Sequence, residues 1–170
     1  AAAVLVSERK GAELGIQKPV RVAASALHSG WNRGPEEGDS AQLCAAEACE
    51  EAGVGLEHIG VIELHDASAI GELFAYVSLG LCERGESGKL IGEGATQLGG
   101  RVPVNTSGGL LRKGHPVGAT GIAQVVELTE QLQGRCGKRQ VEGAKSALAH
   151  NGGGVVGNGA ASMCVTILTR

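Results

Sequence analysis

The sequence of 170 residues has very few aromatic side chains: one Trp, one Tyr and one Phe, together with a single Met. This scarcity argues against an aromatic-rich β-sandwich core. The bulk of the core must come from Val, Leu and Ile, while 29 glycines let backbones approach one another closely. Composition therefore favours layered α/β packing, and the length suffices for one domain with a substantial core.

Positive charge is also scarce in any one place. The formal net charge is −3, and no run of basic residues is longer than two. A cationic face for nucleic acid is therefore not expected. A membrane span is not expected either, because no segment approaches the ~20 apolar residues that a bilayer requires.

The five cysteines form no CxxC pair and have no Cys/His metal spacing; they are Cys44, Cys49, Cys82, Cys136 and Cys164. A scattered odd number predicts reduced thiols and a cytoplasmic location. None stands in a recognisable motif, so most are expected to be small core residues.

Strand-like and helix-like segments alternate along the chain, which predicts a mixed sheet covered by helices. Strands are predicted at residues 1–6, 20–26, 59–64, 102–105, 144–149 and 162–168. Helices are predicted at residues 7–14, from Asp39 to Gly53, from Ile70 to Gly80, and from Pro116 to Gly134. Loops are predicted at residues 28–38, 84–100 and 151–159. The strand at residues 1–6 has no turn or cap before it, so we expect the natural chain to continue upstream.

The helix after Asp39 has the clearest local signals. Asp39 is a favourable N-cap with Gln42 three residues later, and Gly53 is a favourable end. The small apolar residues at helical spacing are Ala41, Cys44, Ala45, Ala48, Cys49 and Ala52. This stripe predicts the buried face of an amphipathic helix.

Residues 105–121 read NTSGGLLRKGHPVGATG and place His115 among glycines, directly before a proline. Pro116 suits the first turn of a helix, where its missing N–H is not needed. Ile122, Val125, Val126 and Leu132 follow near helical spacing and predict its buried face. His115 is therefore expected beside a helix N-terminus, where it could stabilise a developing oxyanion or activate a nucleophile.

Two other histidines also stand at the ends of predicted elements. His65 follows the strand at residues 59–64, and His150 follows the strand at residues 144–149, just before Gly152. Because ligands gather at the carboxyl ends of strands in α/β sheets, we expect His65, His115 and His150 to converge. Acyl transfer needs such bases and donors, and the glycines after His150 would expose backbone N–H groups. A three-histidine zinc site is the rival interpretation, but no pair has helical ligand spacing, so no metal is expected.

The nucleophile that acyl transfer requires is not evident. The sequence has no Gly-x-Ser-x-Gly elbow, and no cysteine stands at a predicted helix start. The residues therefore provide donors and bases without a clear nucleophile.

Three motifs resemble the C-terminal half of the thiolase family, especially its sterol-carrier-protein or lipid-transfer type. The Gly-His-Pro segment around His115 is followed by Val-Gly-Ala-Thr-Gly, His65 stands in Glu-Leu-His-Asp-Ala, and His150 stands in Ala-His-Asn-Gly-Gly-Gly. The motifs occur in the order of the family, and the similarity covers essentially the whole chain. Residues 1–18 would be the end of an N-terminal half, and residues 19–170 the C-terminal domain.

This resemblance implies a mixed five-stranded sheet with helices on both faces, in a protein that forms dimers or larger oligomers. It implies acyl-CoA or CoA as substrate, no further cofactor, and a nucleophilic cysteine in an N-terminal half. His115 would activate that cysteine, and His65 and His150 would line the active site. Gly152 would donate its N–H to an oxyanion, and Asn105 and Gly114 are expected to contact substrate.

Two positions depart from the family pattern. Ala67 stands where the lipid-transfer subgroup has a cysteine that acts as acid and base, and His150 replaces the cysteine of the usual Cys-x-Gly loop. Classical thiolysis is therefore one of several expectations. The alternatives are a thiolase-fold aldolase that works with a small accessory subunit, and a non-catalytic scaffold that binds acyl-CoA or steroid-CoA. A β-ketoacyl synthase is a more distant alternative, because Pro116 favours a thiolase.

Overall fold

The protein is described by a computed structural model that covers residues 1–30, 38–157 and 159–170. Part of the predicted loops at residues 28–38 and 151–159 therefore lies outside the described residues. The described strands are β1 (Arg21–Ser29), β2 (Val61–Glu63), β3 (Ser146–Gly153) and β4 (Ser162–Thr169). The described helices are α1 (Glu8–Glu13), α2 (Ser40–Ala52), α3 (Ala69–Ser78), α4 (Ser87–Gly92), α5 (Gly109–Lys113) and α6 (Thr120–Gln133). Short 3-10 helices occur at Leu56–His58 and Gly137–Arg139.

The four strands form one mixed sheet in the order β1-β4-β3-β2. β4 is antiparallel to both of its neighbours, whereas β2 and β3 are parallel, with Glu63 opposite Ala149. The parallel pair brings the carboxyl ends of β2 and β3 to the same edge of the sheet.

The sheet has one strand fewer than the predicted five. Residues 102–105 run beside β2 but make only one bridge, between Val104 and Ile62. Residues 1–6 have no regular structure and are exposed, so the strand predicted there is wrong. These residues are apolar, but they pair with no strand among the described residues.

Helices cover both faces of the sheet, as the alternation of elements predicts. On one face, α2 packs across β1 and β4 through its small residues Ala41, Cys44 and Ala48. On the other face, Leu128 and Leu132 of α6 pack against Val61 and Ala147. Bulk on the second face thus comes from aliphatic side chains, while alanines let α2 lie close to the strands.

The signals at both ends of α2 are confirmed. The Asp39 side chain accepts a hydrogen bond from Gln42 N at 2.8 Å, and Gly53 ends the helix with φ 64°. The helix at residues 7–14 is also confirmed as α1, with the Ser7 side chain as its N-cap. The loop predicted at residues 84–100, in contrast, contains the short helix α4.

The helix after His115 begins later than predicted. Pro116 does not form its first turn; instead, the Pro116 carbonyl accepts hydrogen bonds from Ala119 N at 2.7 Å and Thr120 N at 3.0 Å in a turn that precedes α6. The predicted buried face is also partly wrong, because Ile122 is 38% exposed and Val126 37%. The inward face carries Gln124, Gln131, Leu128 and Leu132, and the two buried amides are accepted there because they are hydrogen-bonded.

Candidate functional site

The site lies at the carboxyl end of β2 and the adjoining part of β3, where all three predicted histidines meet. The rings of His65 and His115 are in edge-to-face contact, with centroids 4.8 Å apart and an interplanar angle of 86°. The backbone N–H of His65 donates to Nδ1 of His150 over 3.3 Å. The parallel pairing of β2 with β3 explains the second contact, since Glu63 at the end of β2 lies opposite Ala149, the residue before His150. His150 itself lies within β3, which continues to Gly153, and does not follow its strand as predicted.

His115 is held by the first residue of α6. Its Nδ1 lies 2.8 Å from Oγ1 of Thr120, and the Thr120 hydroxyl in turn donates to the Pro116 carbonyl over 3.3 Å. Gly114, with φ 82°, ends α5 immediately before His115 and is exposed. His115 is therefore exposed and held beside the N-terminus of α6, as expected, although a turn at Pro116 separates it from the helix.

His150 is the most enclosed of the three, with 5% of its surface exposed. Burial, followed by the neighbouring His65, lowers the pKa of His150 to about 4. Its Nε2 atom is buried and has no hydrogen-bond partner among the described residues. Near neutral pH this ring is therefore uncharged, and it keeps one polar atom unpaired beside His65.

His65 is half-buried, and its pKa is also lowered, first by burial and then by the nearby His115. Its Nδ1 lies 3.4 Å from Nδ2 of Asn151, and the same Nδ2 donates to Oε1 of Gln124 over 3.1 Å. Nε2 of Gln124 donates to the carbonyl of His150 over 3.2 Å. Asn151 and Gln124 were not among the predicted site residues.

Asp66, next to His65, is a third residue that was not assigned a role from the sequence. It is 2% exposed, and its carboxylate accepts from Leu110 N at 2.6 Å and Leu111 N at 3.3 Å. Asp66 therefore caps the N-terminus of α5, the helix that leads to His115. Its place beside His65 was a signal, but a cap 44 residues away along the chain could not be read from local sequence.

Asn105 and Gly152 occupy positions different from an open substrate loop. Asn105, with φ 50°, accepts a hydrogen bond on Oδ1 from Leu64 N at 2.8 Å, and its buried Nδ2 has no partner among the described residues. Gly152 lies in β3 opposite Met163, so the loop predicted to begin at residue 151 starts later. Asn105 thus supports the end of β2 just before His65.

The cysteines do not join this cluster. Cys44 and Cys136 are buried, and burial raises the pKa of each thiol to about 11. In the described part of the chain, which contains all five cysteines, none is hydrogen-bonded to the three histidines. Ala67, in contrast, is exposed and lies two residues after His65 in the sequence.

Another group of titratable side chains lies on the far part of α6. Among the described residues, the group of possible metal-binding side chains that come within reach of one another is Glu127, Glu130 and Cys136, and it includes none of the site histidines. The Glu127 carboxylate is already bound by Arg139 at 2.9 Å. Burial alone would raise the pKa of Glu127, but hydrogen bonds from Arg139 and Gln131 lower it overall. Glu127 and Arg139 therefore form an ion pair within the fold.

The fold and these three motifs define a class of protein. The sequence model described as the thiolase C-terminal domain-like family matches residues 36–170, and the chain belongs to that family. Sterol carrier protein 2 from Oryctolagus cuniculus is 43% identical over 160 residues, which cover 89% of this chain and 29% of that protein. The resemblance to the sterol-carrier type of thiolase is confirmed.

Two further relatives have names that refer to thiolase chemistry. The benzoylsuccinyl-CoA thiolase subunit BbsB from Thauera aromatica is 40% identical, over 90% of this chain and 41% of its own length. An acetyl-CoA acetyltransferase from Methanothermobacter thermautotrophicus is 41% identical, over 94% of this chain and 43% of its own length. The chain thus spans less than half the length of each of these relatives.

A solved structure shares the fold. The structure titled "Ltp2-ChsH2(DUF35) aldolase" superposes with a TM-score of 0.72 and 23% identity, over 88% of this chain and 39% of that one. The thiolase-like α/β fold expected from the sequence is therefore confirmed, with four strands in place of five. No helix of the described residues is long and apolar enough to cross a bilayer.

Proposed function

We propose that the chain supplies the C-terminal half of the active site of a thiolase-type acyltransferase that acts on acyl-CoA thioesters. The observation that carries this proposal is the convergence of His65, His115 and His150 at one sheet edge. The nucleophilic cysteine comes from an N-terminal half, since the cysteines of this chain lie elsewhere. Three ring nitrogens beside a thioester would serve as base and oxyanion donors.

His115 is suited to be the base. If the single Thr120 hydroxyl proton goes to the Pro116 carbonyl, Thr120 Oγ1 can only accept from His115. The neutral ring then carries its hydrogen on Nδ1 and a lone pair on Nε2. That lone pair can take the proton of a cysteine thiol, which produces the thiolate nucleophile.

His65 and His150 are suited to stabilise the oxyanion of the tetrahedral intermediate. The lowered pKa of each ring keeps it neutral near pH 7. Nδ1 of His150 accepts from a backbone N–H, so its hydrogen lies on the buried, unpaired Nε2. Asn105 Nδ2 and the Gly152 N–H are additional candidate donors, and Gly114 leaves room for substrate beside His115.

Exposed apolar side chains support docking of an N-terminal half and assembly into oligomers. Val4 is 89% exposed, Leu5 77% and Val117 81%. Apolar side chains exposed to this extent favour contact with another protein surface. The five free thiols support a reducing, cytoplasmic compartment.

A second candidate, an aldolase or a non-catalytic scaffold for acyl-CoA or steroid-CoA, is favoured by one observation. Ala67 provides only a methyl group, and the described site contains no cysteine to remove an α-proton. In the aldolase version, a histidine takes the acid-base role and a small accessory subunit completes the site. In the scaffold version, the same group of three histidines contacts the thioester without turnover.

The test is acetoacetyl-CoA thiolysis by the protein expressed with its natural upstream sequence. Replacing the base, His115→Ala, is expected to lower kcat by about 100-fold or more. His58→Ala is the matched control, because the His58 side chain is 74% exposed and distant from the cluster in the fold. An intact protein without thiolysis activity would refute the acyltransferase proposal and leave the aldolase and the scaffold. An Ala67→Cys variant that gains thiolysis would then identify Ala67 as the cause.

A further inference from the structure

A buried amide on α6 connects the backbone of β3 to the ring of His65. Gln124 is 1% exposed, although its side chain is polar. Its Nε2 donates to the carbonyl of His150 over 3.2 Å, and its Oε1 accepts from Asn151 Nδ2 over 3.1 Å. Asn151 Nδ2 also lies 3.4 Å from Nδ1 of His65. A buried glutamine with both ends paired in this way joins two parts of the site.

The direction of each hydrogen bond in this series follows from the first one, between Gln124 and the His150 carbonyl. A backbone carbonyl can only accept, so Gln124 must turn its NH₂ group toward His150 and its oxygen toward Asn151. Asn151 must therefore present its NH₂ group to Gln124, and the second hydrogen of that group points to His65. Nδ1 of His65 is thus an acceptor.

We infer that Gln124 and Asn151 are positioning residues that hold neutral His65 in the tautomer with its hydrogen on Nε2. This inference deepens the proposed function and rests on it for its catalytic meaning, because an oxyanion donor needs that hydrogen. The pKa of His65 is lowered by burial, so the ring is neutral near pH 7 and its tautomer decides whether Nε2 donates or accepts.

The tautomer of His150 is determined in the same way, but by a single hydrogen bond. The backbone N–H of His65 can only donate, so Nδ1 of His150 accepts and its Nε2 carries the hydrogen. Each histidine is therefore oriented by a backbone group of the other. His65 differs in that two side chains, both replaceable, transmit the effect.

The tautomer can be read directly by ¹⁵N NMR of the full natural protein with labelled histidine. The His65 signals are identified by their loss in His65→Gln. The wild-type protein is expected to show a protonated Nε2 and an unprotonated Nδ1 at neutral pH. In Asn151→Asp the carboxylate cannot donate, so it should accept from Nδ1 and reverse the tautomer. In Gln124→Met the Asn151 amide is free to turn, and a mixture of tautomers is expected.

Asn151→Ala is the control, since it removes the contact without adding an acceptor and should also give a mixture. In thiolysis, Asn151→Asp should lower kcat by about 100-fold, the size expected for one lost oxyanion donor.

A wild-type His65 protonated on Nδ1, or an unchanged tautomer in Asn151→Asp, would overturn the positioning role. The NMR result does not depend on turnover. A protein that lacks thiolysis but shows the expected tautomers would therefore refute the proposed function and retain the positioning role.

Discussion

Acid should destabilise this fold through one identified ring, His150. An unfolded histidine titrates near pH 6.5, whereas buried His150 has a pKa of about 4. Above pH 6.5 neither state binds the proton, so His150 makes no pH-dependent contribution. Between the two pKa values only the unfolded state binds it, and stability is lost as the pH falls through this window. One pKa unit corresponds to about 1.4 kcal/mol, so the complete loss near pH 4 is about 3 kcal/mol.

Urea unfolding at pH 7 and at pH 4 measures this contribution, with the wild-type protein compared to His150→Gln. Carboxylates titrate in both proteins and cancel in the comparison, and so, to a first approximation, does His65. From pH 7 to pH 4, we expect the free energy of unfolding to fall by about 3 kcal/mol less in His150→Gln than in the wild type. His58→Gln, at an exposed position, should behave like the wild type. Equal losses in the wild type and His150→Gln would refute the reasoning, because His150 would then not be buried as a neutral ring.

Three further predictions concern stability, and thermal or urea unfolding checks each. Gly109→Ala should destabilise the protein by about 3 kcal/mol, since φ is +61° and the new Cβ would lie 2.1 Å from Asp66 Oδ2. Gly88→Ala, in open space on α4, is the control and should instead stabilise by about 0.5–1 kcal/mol. Equal effects of the two substitutions would contradict the close contact between Gly109 and Asp66. Asp66→Ala should cost about 2 kcal/mol by leaving two N–H groups of α5 unpaired, and a neutral result would exclude the cap. Arg139→Met should raise the pKa of Glu127 and cost about 1–2 kcal/mol, less than a fully buried pair because Arg139 is half exposed; an unchanged Glu127 titration by NMR would disprove this dependence.

Local signals in the sequence predicted the helices better than the sheet. Asp39 and Gly53 cap the two ends of α2 through contacts with residues close to them in sequence. The ends of this helix can therefore be predicted without knowledge of the fold. The length of β3 depends on a distant partner, because Gly153 is part of the strand through its pairing with Ser162. The Val104 segment has strand-like composition but makes a single bridge to Ile62. Pairing of this kind is a property of the tertiary structure.

The same distinction applies to the site. The ends of β2 and β3 could be expected to bring His65 and His150 together, because the carboxyl ends of neighbouring parallel strands share an edge. The contacts of Gln124 could not be expected, since a glutamine among apolar residues of a helix gives no sign of its partners. The cap that Asp66 provides for α5 is equally non-local.

Because His65 and Asp66 are consecutive, a single peptide unit ties one ring to the helix that leads to the other. A small displacement of α5 would be transmitted to His115 through Gly114 and to His65 through the Asp66 carboxylate. The two rings should therefore shift as a coupled pair, so that their separation is preserved while their position at the sheet edge changes. Asp66 is then the place where evolution or engineering could retune the geometry of the pair without altering either histidine.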